Sequence, residues 1–163
     1  MLSRQQLFWH RDPYDLPGSD GLFLRAVRDN CAYHMAHCPA YRSLAQALSF
    51  SPDQLSTMDD LARVPLLPTL FYKRHALFSM PPRRMAMRVT SSGTSGKFSQ
   101  IGFDWGCVFA EIPMVLRLGW IHRLISPVPA HCVVLGYRPN RHNRTGVTRT
   151  MFGLTFFSPP LSR

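Results

Sequence analysis

The 163-residue chain is 45% apolar and 17% charged, which is enough apolar material for a packed core and excludes general disorder. Lysine and arginine number 19 against 9 acids, a formal charge of +10, and Lys73 and Lys97 are the only lysines. Fourteen prolines argue against a simple helical bundle, because proline interrupts helix interiors and central strands alike.

In chain order, Ser19 or Asp20 is positioned to cap a helix whose apolar residues Phe23, Ala26, Val27, Cys31 and His34 follow helical spacing. Pro39 stops that helix, and Tyr41 to Leu48 continues as a short one. Thr57 and Asp60 form a capping-box-like start for a brief helix ending near Pro65. Val64 to Pro68 must be extended, since each proline pushes its predecessor out of the helical region. Phe71 to Phe78 resumes a helical turn. Met85 to Thr90 reads as a strand, followed by a Ser/Gly loop from Ser91 to Ser99. Asp104 then caps a long apolar helix, with Trp105, Phe109 and Trp120 expected to pack it against a sheet. His131 to Tyr137 reads as a buried strand. The expected class is α/β: a mainly helical lead-in over 1–84, a strand–loop–helix–strand (β-α-β) unit over 85–137, and a loop-rich end over 138–163.

Met1 to Asp15 presents no apolar block of the kind a secretory leader needs. Cys107 to Ile125 is broken by Glu111, Pro113, Arg117 and His122, so it fails as a membrane span. Cys31, Cys38, Cys107 and Cys132 form no CxxC pair, and the expectation is reduced thiols in a cytoplasmic protein. The cations are scattered, with Lys73-Arg74 and Arg83-Arg84 the only adjacent pairs, and neither zinc-finger nor aromatic RNA-binding spacing is present. A basic module binding nucleotides or nucleic acid without chemistry is therefore the minority alternative. The last acid is Glu111, and the 52 residues after it carry seven arginines. That imbalance, with a single β-α-β unit unable to cover a parallel sheet, leads to the expectation of a truncated domain; a non-functional truncated gene product is a further alternative.

His34, His37 and Cys38 are three metal donors on neighbouring helix positions, but a zinc site needs a fourth ligand that is not nearby. Lys73 and Arg74 read as a solvated pair, and Tyr137 and Arg138 as residues following a strand. The stretch that carries chemistry is Ser91, Ser92, Gly93, Thr94, Ser95, Gly96 and Lys97. Its two glycines free consecutive amides to face an anion, its hydroxyls donate to phosphate oxygens, and Lys97 adds charge. It is not a Walker loop, which needs four residues between its glycines and a hydroxyl after the lysine.

The order Ser/Thr, Ser/Gly, Gly, Ser/Thr, Ser/Thr, Gly, Lys resembles the phosphate loop of adenylate-forming enzymes. With Pro13–Ala45, Val64–Ser79 and Thr90–Asp104, the chain resembles the amino-terminal part of bacterial acyl-protein synthetases, the fatty-acid-activating ligases of bioluminescence operons. The likeness takes in His34, Tyr41, Phe71-Tyr72-Lys73 and Ser99-Gln100-Ile101, and covers roughly residues 8 to 137. Phenylacetate–CoA ligases look like more distant relatives. The resemblance implies the incomplete large domain of an adenylate-forming enzyme. It also implies ATP and Mg2+, a fatty acid, a thiol acceptor, and an acyl-transferase or reductase as protein partner. It assigns phosphate binding to Ser91–Lys97, with Ser92 and Thr94 as hydroxyl donors and Lys97 as the mobile cation. It places the family's catalytic lysine and acyl-accepting cysteine outside this sequence, so no catalytic residue is identified and the isolated polypeptide is expected to be inactive.

Overall fold

The computed structural model describes residues 2–75, 77–91, 99–131, 133–138, 140, 148, 152–153 and 155–158. Helix α1 (Ser3–Phe8) is followed by the long α2 (Leu16–His37). Asp15, not Ser19 or Asp20, caps α2: its carboxylate accepts from the Gly18 N–H at 2.9 Å. The expected start fell a turn late because Pro17-Gly18 has the look of a turn, yet proline suits the first helical turn, where its missing N–H is not needed. At Cys38 the backbone opens to φ −120°, ψ 102°, and α3 (Pro39–Ala47) begins at the proline that ends α2.

The core sits where α2 and α3 meet the segment that follows them. Cys31, Ala45, Phe50 and Leu55 are buried together, with Leu24, Val27, Met35 and Val64 packed around them. The Thr57–Asp60 device is present. Asp60 Oδ2 accepts from the N–H groups of Thr57 (2.8 Å) and Ser56 (3.0 Å), and the turn it starts, Met58–Arg63, is 3-10 rather than α. Residues 64–68 run extended into α4 (Thr69–Arg74), as their prolines require.

Strand β1 (Met87–Thr90) pairs antiparallel with β2 (Gln100–Phe103), in the register Met87↔Phe103 to Thr90↔Gln100. Helix α5 (Trp105–Ile121) starts directly after β2, capped by Asp104, which accepts from the Cys107 N–H at 2.6 Å. Arg4 on α1 pairs with the same carboxylate at 3.6 Å, tying the first helix to α5. Pro113 lies inside α5, where it cannot donate to the Phe109 carbonyl.

Two expectations are corrected. The strand–loop–helix–strand unit is not formed: a second strand, β2, intervenes before the helix, and the described residues of 131–137 form no strand, with Val133 83% and Leu135 88% exposed. The aromatic stripe of α5 does not pack on the sheet, since Trp105 and Trp120 are 62% and 65% exposed. The helix packs instead through Ala110 and Gly119, where a Cβ would lie 3.0 Å from Ile125. The helix is apolar nearly all round, so its largest residues gave no guide to its buried face. No described helix is long and apolar enough to cross a membrane.

Leu55 is 1% exposed at the centre of the core, and Leu55→Ala is expected to cost about 2–5 kcal/mol in urea unfolding. Leu66→Ala, at an 84% exposed position, is expected to stay within about 0.5 kcal/mol.

Candidate functional site

The candidate loop springs from the open end of the β1–β2 hairpin. Beyond the Thr90↔Gln100 pair, the Ser91 N–H donates to the Ser99 carbonyl at 3.1 Å. The Ser91 hydroxyl oxygen accepts from the Ser99 N–H at 3.0 Å and from its hydroxyl at 2.9 Å. Ser99 is buried, so these bonds are shielded from water. Of the seven predicted phosphate ligands, Ser91 is therefore placed at the loop's base; Ser92, Gly93, Thr94, Ser95, Gly96 and Lys97 lie outside the described residues.

This arrangement changes the electrostatic reasoning. The loop joins two antiparallel strands and does not run into a helix. The amino end of α5 stands off by the length of β2, on the order of 13 Å for four residues. That end is already occupied by the Asp104 carboxylate. Burial opposes ionisation of Asp104, but the bond from the Cys107 N–H and the nearby Arg4 cation outweigh it and hold the carboxyl below its ordinary range.

Gln100 connects the loop base to a half-open cavity of about 380 Å³ bordered by α2, α3, the extended 64–68 segment, Tyr72 of α4, residues 77–80 and β2. Its walls are largely apolar, with Leu67, Phe78, Met80 and Ile101 among them, and no Asp, Glu, Lys or Arg is among the described residues that line it. Gly102 belongs to the same wall because the Met85 side chain crosses it; a Cβ there would sit 2.7 Å from the Met85 sulfur. The polar lining groups are mostly engaged with each other. His34 Nδ1 meets the Ser79 hydroxyl at 2.6 Å, Tyr33 donates to the Ser79 carbonyl at 3.2 Å, and Tyr41 donates to the Cys31 sulfur at 3.7 Å. Burial, with Arg4 and His37 adding charge repulsion, lowers the His34 pKa, so the ring is neutral at pH 7. Burial raises both the Tyr41 phenol and the Cys31 thiol, keeping them protonated. The Gln100 Oε1 atom is buried with no hydrogen-bond partner, a state that costs about 1–3 kcal/mol unless something supplies a donor.

The remaining candidates resolve into structural roles. His34, His37 and Cys38 do not converge: His37 Nδ1 pairs with the Tyr33 carbonyl at 2.8 Å, and Cys38 is buried at the α2–α3 pivot. Among the described residues no group of three or more His, Cys, Asp or Glu could hold a metal. Lys73 and Arg74 form the last turn of α4, and Tyr137 and Arg138 are exposed in a non-strand segment. Sequence reasoning singled out His34, Tyr41 and Gln100 but not the cavity they share with Phe78, Ser79 and Met80. The available signal was the pair of prolines at 65 and 68, which keeps the segment extended and puts Pro65 and Leu67 in the cavity wall.

Comparison with known proteins gives two matches. The sequence model of the acyl-protein synthetase family, LuxE, matches residues 4–149. A long-chain-fatty-acid–luciferin-component ligase of Photorhabdus luminescens is 32% identical over 80 residues, which are 49% of this chain and 66% of that relative. The chain thus spans just under two thirds of the length of the curated relative it matches.

Ser91→Ala removes the oxygen that holds both Ser99 donors, and is expected to cost about 1–3 kcal/mol in urea unfolding while Ser91→Thr keeps most of it. His34 has a folded-state pKa below its ordinary 6.5, so the folded state binds fewer protons. Its contribution is therefore complete above about pH 6.5 and is lost as pH falls through the lowered value. Thermal melts between pH 7.5 and 5 should show a steeper acid-side fall for the native chain than for His34→Asn; parallel curves would contradict the assignment.

Proposed function

The chain belongs to the acyl-protein synthetase family, and on that premise we propose that the full-length protein activates a fatty acid with ATP and passes the acyl group to a thiol. The fatty carboxylate oxygen attacks the α-phosphorus of ATP, the bond to the β-phosphate oxygen breaks, and pyrophosphate leaves. A thiol, as thiolate, then attacks the acyl carbonyl of the adenylate and displaces AMP, giving a thioester. The first step turns a poor acyl donor into one with a phosphate leaving group.

The observation that supports this reading most is the closed base of the loop. Ser91 and Ser99 hold the ends of the Ser92–Lys97 stretch side by side, so the entropy of bringing those ends together is met in folding rather than in binding. Small and hydroxylated residues between such pinned ends suit a polyphosphate, and they act by orienting it and neutralising charge on the departing pyrophosphate. Ser92 and Thr94 are the hydroxyls proposed to donate, Gly93 and Gly96 the backbone turns, and Lys97 the cation. Mg2+, when bound with the nucleotide, would supply further neutralisation. Free Cys31, Cys38 and Cys107 suit the reducing cytoplasm in which we place the protein. A fatty acid, a thiol-bearing carrier or protein, and an acyl-transferase or reductase are the proposed partners.

In the full-length protein, fatty-acid-dependent exchange of pyrophosphate into ATP is expected, falling about 10²–10³-fold in Gly93→Val and in Lys97→Ala. Exchange that is absent, or that both variants leave intact, would overturn the proposal.

A further inference from the structure

We infer that the cavity walled by His34, Tyr41, Leu67, Phe78, Met80 and Gln100 receives a straight aliphatic chain, its polar end toward Gln100. This rests on the fatty-acid reading above and gives the chain a place in the fold. At about 380 Å³ the cavity lies at the small end of ligand pockets, which run from about 300 to 1,000 Å³. A methylene takes up about as much room as a water molecule, whose share of liquid volume is ~30 Å³, so the space holds on the order of a dozen methylenes.

The lining chemistry selects the same ligand. With no Asp, Glu, Lys or Arg among the described lining residues and a neutral His34, a carboxylate deep inside would be desolvated without a charged partner there, so the charged head stays at the mouth. His34 and Ser79 satisfy each other and Tyr41 is turned to Cys31, so these groups are engaged within the wall; the buried Gln100 Oε1, an acceptor, gives a carboxylate nothing, and a carboxylate would meet this side chain only through its NH2 group. Gln100 is the first residue of β2 and follows Ser99, the residue that closes the loop. A chain whose head lies at Gln100 ends beside the stretch proposed to hold the triphosphate. The exposed stripe of Trp105, Phe109 and Trp120 on α5 is the rival apolar surface, but it offers no enclosure.

The test uses the full-length protein without ATP and 1-alkanols of six to eighteen carbons as probes, titrated calorimetrically. Affinity is expected to rise by roughly fourfold per methylene and to level off near twelve carbons. Leu67→Trp and Met80→Trp, which fill the space, are expected to weaken 1-dodecanol at least tenfold. Because either variant can misfold, a 1-dodecanol bearing a terminal diazirine is photolysed on the native protein and its adducts mapped by mass spectrometry. Adducts in 65–80 or 100–102 are the expected result. Adducts confined to 105–128, or no saturable alkanol binding, would overturn the cavity assignment. Alkanols cannot be adenylated, so these outcomes are independent of pyrophosphate exchange, and failure of either reading is seen separately.

Discussion

Three hydrogen bonds between Ser91 and Ser99 set the geometry on which the functional account depends. They extend a pair of four-residue strands by one more rung and fix the separation of the two ends of a seven-residue stretch, 92–98. Without them a run of serines and glycines is a flexible linker, with every conformation to lose on gripping an anion. With them its ends are fixed before any ligand arrives. That Ser99 is buried while the stretch is small and polar is the local signature of a loop held from below.

The hairpin also organises what lies on either side. Below β2, Asp104 turns the chain into α5, and Arg4 ties that turn back to the first helix. The carboxylate that caps α5 occupies its amino end. Beside β2, Gln100 shares a wall with α2, α3 and the proline-straightened 64–68 segment. The proposed phosphate loop and the largely apolar cavity thus meet at one residue, and the proposed acid activation brings together a phosphate and an acyl chain.

Much of this was legible in the sequence where one residue dictates backbone geometry. Asp104 as a cap, the Thr57–Asp60 pair, the break at Pro39 and the extended 64–68 run all follow from local chemistry, and all are present. The α2 start was placed late because Pro17-Gly18 carries both turn and helix-start meaning. Strand β2 was missed because Gln-Ile-Gly-Phe is short and contains a glycine, so its pairing comes from β1 and not from its own propensity. Val133 and Leu135 looked like strand interior by composition, and nothing in a sequence says whether a partner strand is there to cover them. The cavity was invisible for a related reason: its walls come from six separate segments, and only the fold brings His34 and Gln100 together.

The central claim is that the Ser92–Lys97 stretch holds the polyphosphate of ATP, and the scarcity of lysine allows it to be read directly. Lys73 and Lys97 are the two lysines of this chain. An adenosine polyphosphate ending in pyridoxal forms an imine with a lysine close to the phosphate end, and borohydride fixes it for mass spectrometry. The account predicts ATP-protected labelling at Lys97 and none at Lys73. Protected labelling at Lys73, with Lys97 unmodified, would contradict it.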